Sequence, residues 1–507
     1  RKATQGLANF IIKENAQAKG VAIAFDSRHM SPEFAKETAL CMAANGIKAY
    51  IFPSLRPTPM LSFALRELGC IAGVVVTASH NPPQYNGYKV YWEDGAQITA
   101  PKDKQIITEV QAITDFAQVK TMSEEDAKAA GLYEVIGEEI DDRYMEALKK
   151  LVLRPEAIKE QADKLKIVYT PLHGTGNIPV RRVLKELGFN NVYVVKEQEL
   201  PDGDFPTVSY PNPEDKNAFT LALKLAAEVD ADIVLATDPD ADRLGIYAKN
   251  EKTGEYESFT GNMSGMLILE YLLSQKKELG MLPENGAVVT TIVSGKMARA
   301  IAKEYNVALI ETLTGFKYIG EQIKFFEQNH DHEFLFGYEE SYGCLEGTHA
   351  RDKDAVVAVM ALCEAAAYYK SKGITLCEQM EKLYQKYGFY KESLFFQTFP
   401  GAEGKAKIDG LMDALRNEPP KQVGPFKVTA LEDYKKSVRT DIATGETSAL
   451  TLPESNVLYF ELEDGAWFCV RPSGTEPKIK YYAGVKGTDA QDAADKLEAL
   501  SKAVVEL

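Results

Sequence analysis

The chain has 507 residues, 45% hydrophobic and 26% charged, with a net charge of −16. That length exceeds one core and predicts about three to five domains, in a composition ordinary for a globular protein. The negative field repels nucleic acid and anionic membranes, and no run approaches the ~18 apolar residues of a membrane span, so neither partner is expected.

The same sign repels phosphorylated small molecules, so an enzyme acting on them needs a local cationic pocket. Six cysteines (41, 70, 344, 363, 377 and 469) are scattered with no CxxC pair. This argues against a disulfide framework or a thiolate metal clip and predicts reduced thiols in a cytoplasmic setting.

In chain order, the first strong strand is Val21–Asp26, followed by a helical pattern and by Gly73–Ser79. The run Val74-Val75-Val76 reads as a strand buried on both faces, and Asn81-Pro82 stops it. Ser79 is thereby held at a strand tip beside His80, which can donate to a phosphate or move a proton. A turn serine with an ordinary surface histidine fits the same pattern. Tyr85-Asn86-Gly87 predicts a turn that returns Lys89 to this loop.

Strands at Lys166–Pro171 and Asp232–Asp238 follow. His173-Gly174-Thr175-Gly176 after the first reads as a tight strand-to-helix turn rather than a ligand loop. The second ends in Asp238-Pro239-Asp240-Ala241-Asp242-Arg243. In an extended loop alternate residues face one side, so three carboxylates can meet one cation. Hard oxygens without His or Cys favour magnesium over zinc; an acidic surface loop or weak calcium site is the alternative.

A third pair is Ala287–Ile292 and Glu333–Tyr338. The latter runs into Glu339-Glu340-Ser341, where a carboxylate and a hydroxyl can bind neighbouring sugar hydroxyls, unless these are only the acidic start of a helix. Thr314-Gly315 and Arg351-Asp352-Lys353-Asp354 lie nearby in sequence. Lys353 is either a solvated salt-bridge partner or a general acid/base in a closed cleft. Beyond the Pro/Gly-rich stretch 418–425, strands at 456–462 and 467–470 lead into Arg471-Pro472-Ser473-Gly474-Thr475. An arginine, two hydroxyls and glycine-exposed backbone make an anion nest.

In each of the three pairs, the first strand is followed by a helix and the second by a chemically loaded loop. The pattern predicts one α/β unit used three times, with mixed sheets around a central cleft, plus a C-terminal α+β domain. The expected boundaries are 1–155, 156–255, 256–386 and 387–507.

Four motifs in one order carry a resemblance: Thr77-Ala78-Ser79-His80-Asn81-Pro82, Asp238-Pro239-Asp240-Ala241-Asp242-Arg243, Gly337-Tyr338-Glu339-Glu340-Ser341 and Arg471-Pro472-Ser473-Gly474-Thr475. The chain resembles the α-D-phosphohexomutases, in particular their larger bacterial phosphoglucomutase type. The resemblance implies a phosphoryl group on Ser79 and Mg²⁺ between it and Asp238, Asp240 and Asp242. It assigns Glu339, Ser341, Thr314 and Gly315 to the sugar, and Arg471, Ser473, Gly474 and Thr475 to the phosphate that is not reacting. Arg28, Lys89 and Arg243 line the cleft by motif match, and His80 and Lys353 are the acid/base candidates.

The implied reaction interconverts glucose 1-phosphate and glucose 6-phosphate through glucose 1,6-bisphosphate. Small sugar phosphates are then the partners. Mannose, ribose or deoxyribose phosphate is the alternative substrate, and a non-catalytic sugar-phosphate-binding relative the alternative class. The family pattern also has a Gly-Thr-x-Gly-x-Arg segment ahead of the helix near Arg1, which this sequence does not contain.

Overall fold

The computed structural model describes residues 1–400, 403–473 and 477–507. Its first sheet holds β1 (Val21–Phe25), β2 (Ala49–Ile51), β3 (Ala72–Val76), β4 (Tyr88–Trp92) and β5 (Tyr133–Val135), in the order β4-β3-β1-β2-β5. The second holds β6 (Ile167–Thr170), β7 (Val192–Val194), β8 (Ile233–Thr237), β9 (Leu244–Lys249) and β10 (Tyr256–Phe259), in the order β10-β9-β8-β6-β7. The third holds β11 (Gly286–Thr291), β12 (Ala308–Thr312), β13 (Glu333–Glu339) and β14 (Gly343–Glu346), in the order β12-β11-β13-β14.

Aligned on their loaded strands, the sheets share one strand order: β4-β3-β1-β2, β9-β8-β6-β7 and β14-β13-β11-β12. In each, the two strands expected as a pair lie parallel, and the loaded strand then turns back through an antiparallel hairpin. The parallel strands β1, β3, β6, β8 and β11 are buried along their whole length, which is why they read as continuous apolar runs.

The helices follow the same logic. Asn177–Leu187 buries Pro179, Val180, Val183 and Leu184, one stripe at helical spacing, and stops at Gly188 with φ 96°. Ala355–Ser371 is buried almost all round, hence its run of alanine and valine, and the Asp354 carboxylate caps it by accepting from the N–H groups of Val356 and Val357.

The C-terminal region is an antiparallel sheet of β15 (Phe389–Thr398), β16 (Gln422–Val423), β17 (Phe426–Asp433), β18 (Val438–Asp441), β19 (Thr447–Ala449), β20 (Leu458–Leu462), β21 (Trp467–Pro472) and β22 (Lys478–Gly487). Its main path runs β15-β22-β21-β20-β17-β18-β19, with β16 on β17. Its own core includes Leu458, Phe460, Phe468, Val470, Ile479 and Leu500. The chain forms two compact units: Arg1–Thr290 with Tyr305–Ile310 and Gly315–Gln379, and Thr291–Glu304 with Glu311–Thr314 and Met380–Leu507. Among the described residues no helix is long and apolar enough to cross a membrane.

Candidate active site

The serine loop leaves β3 through Thr77 and Ala78, and Ser79 sits in the left-handed region at φ 53°. Asp26, just past β1, fixes this turn. Its carboxylate accepts from Thr77 Oγ1 (2.7 Å), Ser31 Oγ (2.7 Å) and the Arg28 N–H (3.0 Å), and Thr77 Oγ1 in turn accepts the Ser79 N–H (2.8 Å). The Arg28 guanidinium lies inside the loop. It donates to the carbonyls of Ser79 (2.5 Å), Asn81 (2.5 Å), Pro82 (2.9 Å) and Tyr85 (3.0 Å), with Asp26 3.1 Å from Nε. Arg28 is 1% exposed, so it shapes the loop from within.

Ser79 Oγ donates to Asp238 Oδ2 at 3.0 Å and lies 3.2 Å from His80 Nδ1. The serine and the aspartates, 159 residues apart, therefore form one site. The aspartates converge through a turn instead of an extended segment. Ala241 has φ 50°, and Asp238 Oδ1 accepts the N–H groups of Asp242 and Arg243, both at 3.1 Å. His173-Gly174-Thr175-Gly176 lies against this turn: the Thr175 N–H donates to the Pro239 carbonyl at 2.8 Å. A Cβ on Gly174 would collide with the Pro239 backbone, so its glycine is there for close packing.

One carboxylate oxygen from each of Asp238, Asp240 and Asp242 lies within 4.8 Å of the others. Lys89 Nζ reaches Asp240 Oδ2 at 2.9 Å and Asp242 Oδ2 at 3.7 Å, and Thr58 Oγ1 donates to Asp240 Oδ2 at 2.8 Å. Asp240 Oδ1 and Asp242 Oδ1 are buried without a hydrogen-bond partner. Buried, unpartnered anionic oxygens are costly, and a divalent cation with oxygen preference satisfies them. The donor set therefore fits a bound metal ion.

Burial, then repulsion from Asp240 and Asp242, drives the Asp238 carboxyl well above the usual carboxylate range. Burial and Asp240 also raise Asp242. At Asp240 burial pushes the same way, but Lys89 and its hydrogen bonds outweigh it and hold the group low.

Lys353 Nζ sits among Asp242 (3.3 Å), Asp352 (3.5 Å) and Glu339 (3.7 Å). Burial alone would lower its pKa; the three carboxylates outweigh burial and raise it well above the ordinary lysine value. Gly343 leaves room for the lysine stem, which a Cβ there would overlap. His80 goes the other way, pushed down to about 2 by burial and by Arg243, so its imidazole is neutral. Arg243 is paired with Glu214.

Glu339 ends β13 and is buried, while Ser341 is half-buried in the turn to β14. That segment is a hairpin turn and not the start of a helix. Its Tyr342 carbonyl accepts the Leu244 N–H at 3.0 Å, tying it to the aspartate turn. Gly315, at φ 120°, precedes the helix Phe316–Asn329; Thr314 belongs to the other compact unit. In that second unit Arg471 lies in β21 opposite Lys480, and the Ser473 N–H donates to the Lys478 carbonyl at 2.8 Å. Gly474 and Thr475 lie outside the described residues.

The first unit thus brings together Ser79, His80, Asp238, Asp240, Asp242, Arg28, Lys89, Arg243, Lys353 and Glu339. Sequence reasoning missed Asp26, Thr58 and Glu214 as their partners; Asp352, adjacent to Lys353, is the one partner that carried a local signal, as a salt-bridge neighbour.

Three domains of mixed sheets on one strand order, followed by a C-terminal domain with an antiparallel sheet, form the architecture of the phosphohexomutases. The chain belongs to the phosphoglucomutase/phosphomannomutase family. Residues 1–116, 142–253 and 260–387 match its alpha/beta/alpha domains I, II and III, and 416–500 its C-terminal domain. The chain is 40% identical over 486 residues to a phosphoglucomutase of Staphylococcus epidermidis, covering 96% of this chain and 86% of that one. To a phosphoglucomutase of Staphylococcus aureus it is 37% identical over 502 residues, covering 98% and 88%. The fold is also that of the Paramecium phosphoprotein pp63/parafusin crystal structure (TM-score 0.71, 19% identity, covering 100% of this chain and 90% of that one). A phosphoglucomutase/phosphomannomutase family protein from Burkholderia thailandensis is similar in fold (TM-score 0.69, 18% identity, covering 100% and 93%).

Proposed function

We propose that this chain is an intramolecular phosphotransferase, a phosphoglucomutase that interconverts α-D-glucose 1-phosphate and glucose 6-phosphate. The observation that carries the reading is the meeting of Ser79 Oγ with Asp238 at 3.0 Å inside a buried aspartate triad flanked by Lys89 and Lys353. The phosphoglucomutase relatives support glucose as the sugar.

In this reading phospho-Ser79 gives its phosphoryl group to the 6-hydroxyl of glucose 1-phosphate. The bond from phosphorus to Ser79 Oγ breaks, the bond to O6 forms, and glucose 1,6-bisphosphate results. The bisphosphate then presents its 1-phosphate. Ser79 Oγ takes that phosphoryl group, O1 is released as a hydroxyl, and glucose 6-phosphate leaves. In the first step the proton lost from the 6-hydroxyl is matched by the one Ser79 Oγ takes up as phosphorus leaves it. In the second, Ser79 gives that proton up and O1 gains one. His80, which touches Ser79 Oγ, and Lys353, beside Glu339, are the groups placed to pass these protons.

Asp238, Asp240 and Asp242 would hold Mg²⁺, which when bound neutralises charge on the transferring group. Glu339 and Ser341, with Thr314 and Gly315, take sugar hydroxyls; Arg471, Ser473, Gly474 and Thr475 take the phosphate that is not reacting. Arg28 is a positioning residue in this scheme, and Lys89 and Arg243 supply positive potential against the net charge of −16. The four-domain division belongs to the same proposal, with the boundary expected at 255 moved past Phe259, since β10 pairs with β9.

The test is conversion of glucose 1-phosphate to glucose 6-phosphate with Mg²⁺ and a trace of glucose 1,6-bisphosphate. Conversion is expected to fall by about four orders of magnitude or more in Ser79→Ala. Faster turnover of mannose 1-phosphate or ribose 1-phosphate would reassign the sugar. Stoichiometric release of inorganic phosphate would make the chain a phosphatase.

A further inference from the structure

Thr58 opens the helix Thr58–Glu67, between Pro57 and Pro59. It is fully buried. Two of its groups reach one residue of the aspartate turn, 182 positions away: its N–H donates to the Asp240 carbonyl at 2.9 Å, and its hydroxyl to Asp240 Oδ2 at 2.8 Å. Pro59 has no N–H, and those of Met60 and Leu61 turn back to the Pro57 carbonyl. The main-chain donor left at this end of the helix is spent on Asp240.

The consequence is an asymmetric carboxylate. Oδ2 accepts from both Thr58 and Lys89 Nζ (2.9 Å), whereas Oδ1 is buried with no hydrogen-bond partner. Lysine alone does not fix which oxygen it holds, because a point charge on a flexible stem follows the carboxylate as it rotates. A buried hydroxyl on a helix end does fix it.

We propose that Thr58 is a positioning residue for cation binding. It locks Asp240 with Oδ2 committed to protein donors and Oδ1 free for a divalent ion. Groups behind the ligands of a metal site set their orientation, and losing one typically weakens affinity about ten- to a hundredfold. This rests on the metal role of the triad proposed above, and the experiment separates the two.

Mn²⁺ is titrated into the full chain, freed of metal and of phosphate on Ser79, and free Mn²⁺ is read by electron paramagnetic resonance. Thr58→Val keeps shape but removes the hydroxyl, and is expected to weaken Mn²⁺ binding about ten- to a hundredfold, while Thr58→Ser stays within about threefold of wild type. Thr58→Ala carries the same expectation as valine should the extra methyl not be accommodated. In turnover, Thr58→Val is expected to need more Mg²⁺ and to recover kcat at saturation, a split that general loosening of the fold would not give. Wild-type affinity in both Thr58→Val and Thr58→Ala, or equal loss in Thr58→Ser, overturns the inference alone. Wild-type binding no tighter than that of Asp240→Asn overturns the metal role and the inference with it.

Discussion

The four carbonyls around Arg28 make its role one of shape as much as charge. Lysine keeps the charge but offers a point donor instead of a planar fork, so Arg28→Lys loses most of these hydrogen bonds to the serine loop, at about 0.5–1.5 kcal/mol each. The expected result is a lower melting temperature together with a fall in kcat. Unchanged kcat in a folded Arg28→Lys protein would show that the loop keeps its form without the fork. A second buried group gives a pH signature. Glu346 is 3% exposed with Oε1 unpartnered, and burial followed by Glu364 raises it to about 8. The folded protein therefore holds a proton there that the unfolded chain has lost above its ordinary carboxylate value. Stability contributed by that proton is present at low pH and is lost as pH rises toward 8, at up to about 1.4 kcal/mol per pH unit. Glu346→Gln is expected to flatten the fall in melting temperature between pH 5 and pH 8, gaining most over wild type at the alkaline end. Parallel curves for the two proteins would rule this out.

At the scale of elements, two glycines beside the site should respond differently to alanine. At Gly174 the added Cβ meets the Pro239 backbone, which has little freedom to yield. Gly174→Ala is expected to cost about 1–3 kcal/mol in chemical denaturation by displacing the aspartate turn. At Gly343 the Cβ meets the Lys353 stem. Gly343→Ala is expected to move the ammonium away from Asp242 and Glu339 and to reduce turnover more than stability. Equal effects on turnover and stability in both variants would remove the distinction. The elements that carry these glycines were legible in the sequence because their signals are local. All six strands expected as pairs are strands, since burial on both faces leaves a continuous apolar run. Asp238 directly follows β8 and Glu339 ends β13, whereas Ser79, expected at a strand tip, lies beyond the end of β3 in its own loop. What was not legible is long-range. Nothing near Thr58 points to Asp240, and Arg28 reads as one more cleft cation until the chain folds the serine loop around it. The aspartates were expected to converge by alternation, but they do so through Ala241 at φ 50°, a conformation alanine rarely takes and no spacing rule signals.

At the scale of the whole molecule, the two compact units carry separate hydrophobic cores. The C-terminal core has Phe460 and Phe468 fully buried and stacked, ring centroids 4.3 Å apart and planes 3° from parallel. The first unit has its own clusters around β1 and β3 and around β6 and β8. Separate cores unfold as separate cooperative blocks unless coupling between them exceeds the stability of the weaker one. Scanning calorimetry of the full chain is therefore expected to resolve two transitions. Phe468→Ala removes a fully buried aromatic side chain, at about 3–5 kcal/mol. It should lower one transition by on the order of 10 °C and leave the other in place. The transition that stays should be the one Gly174→Ala lowers, because Gly174 packs in the first unit. A single transition that both variants shift together would mean that the cores unfold as one block, and that coupling between the units is worth more than the less stable core.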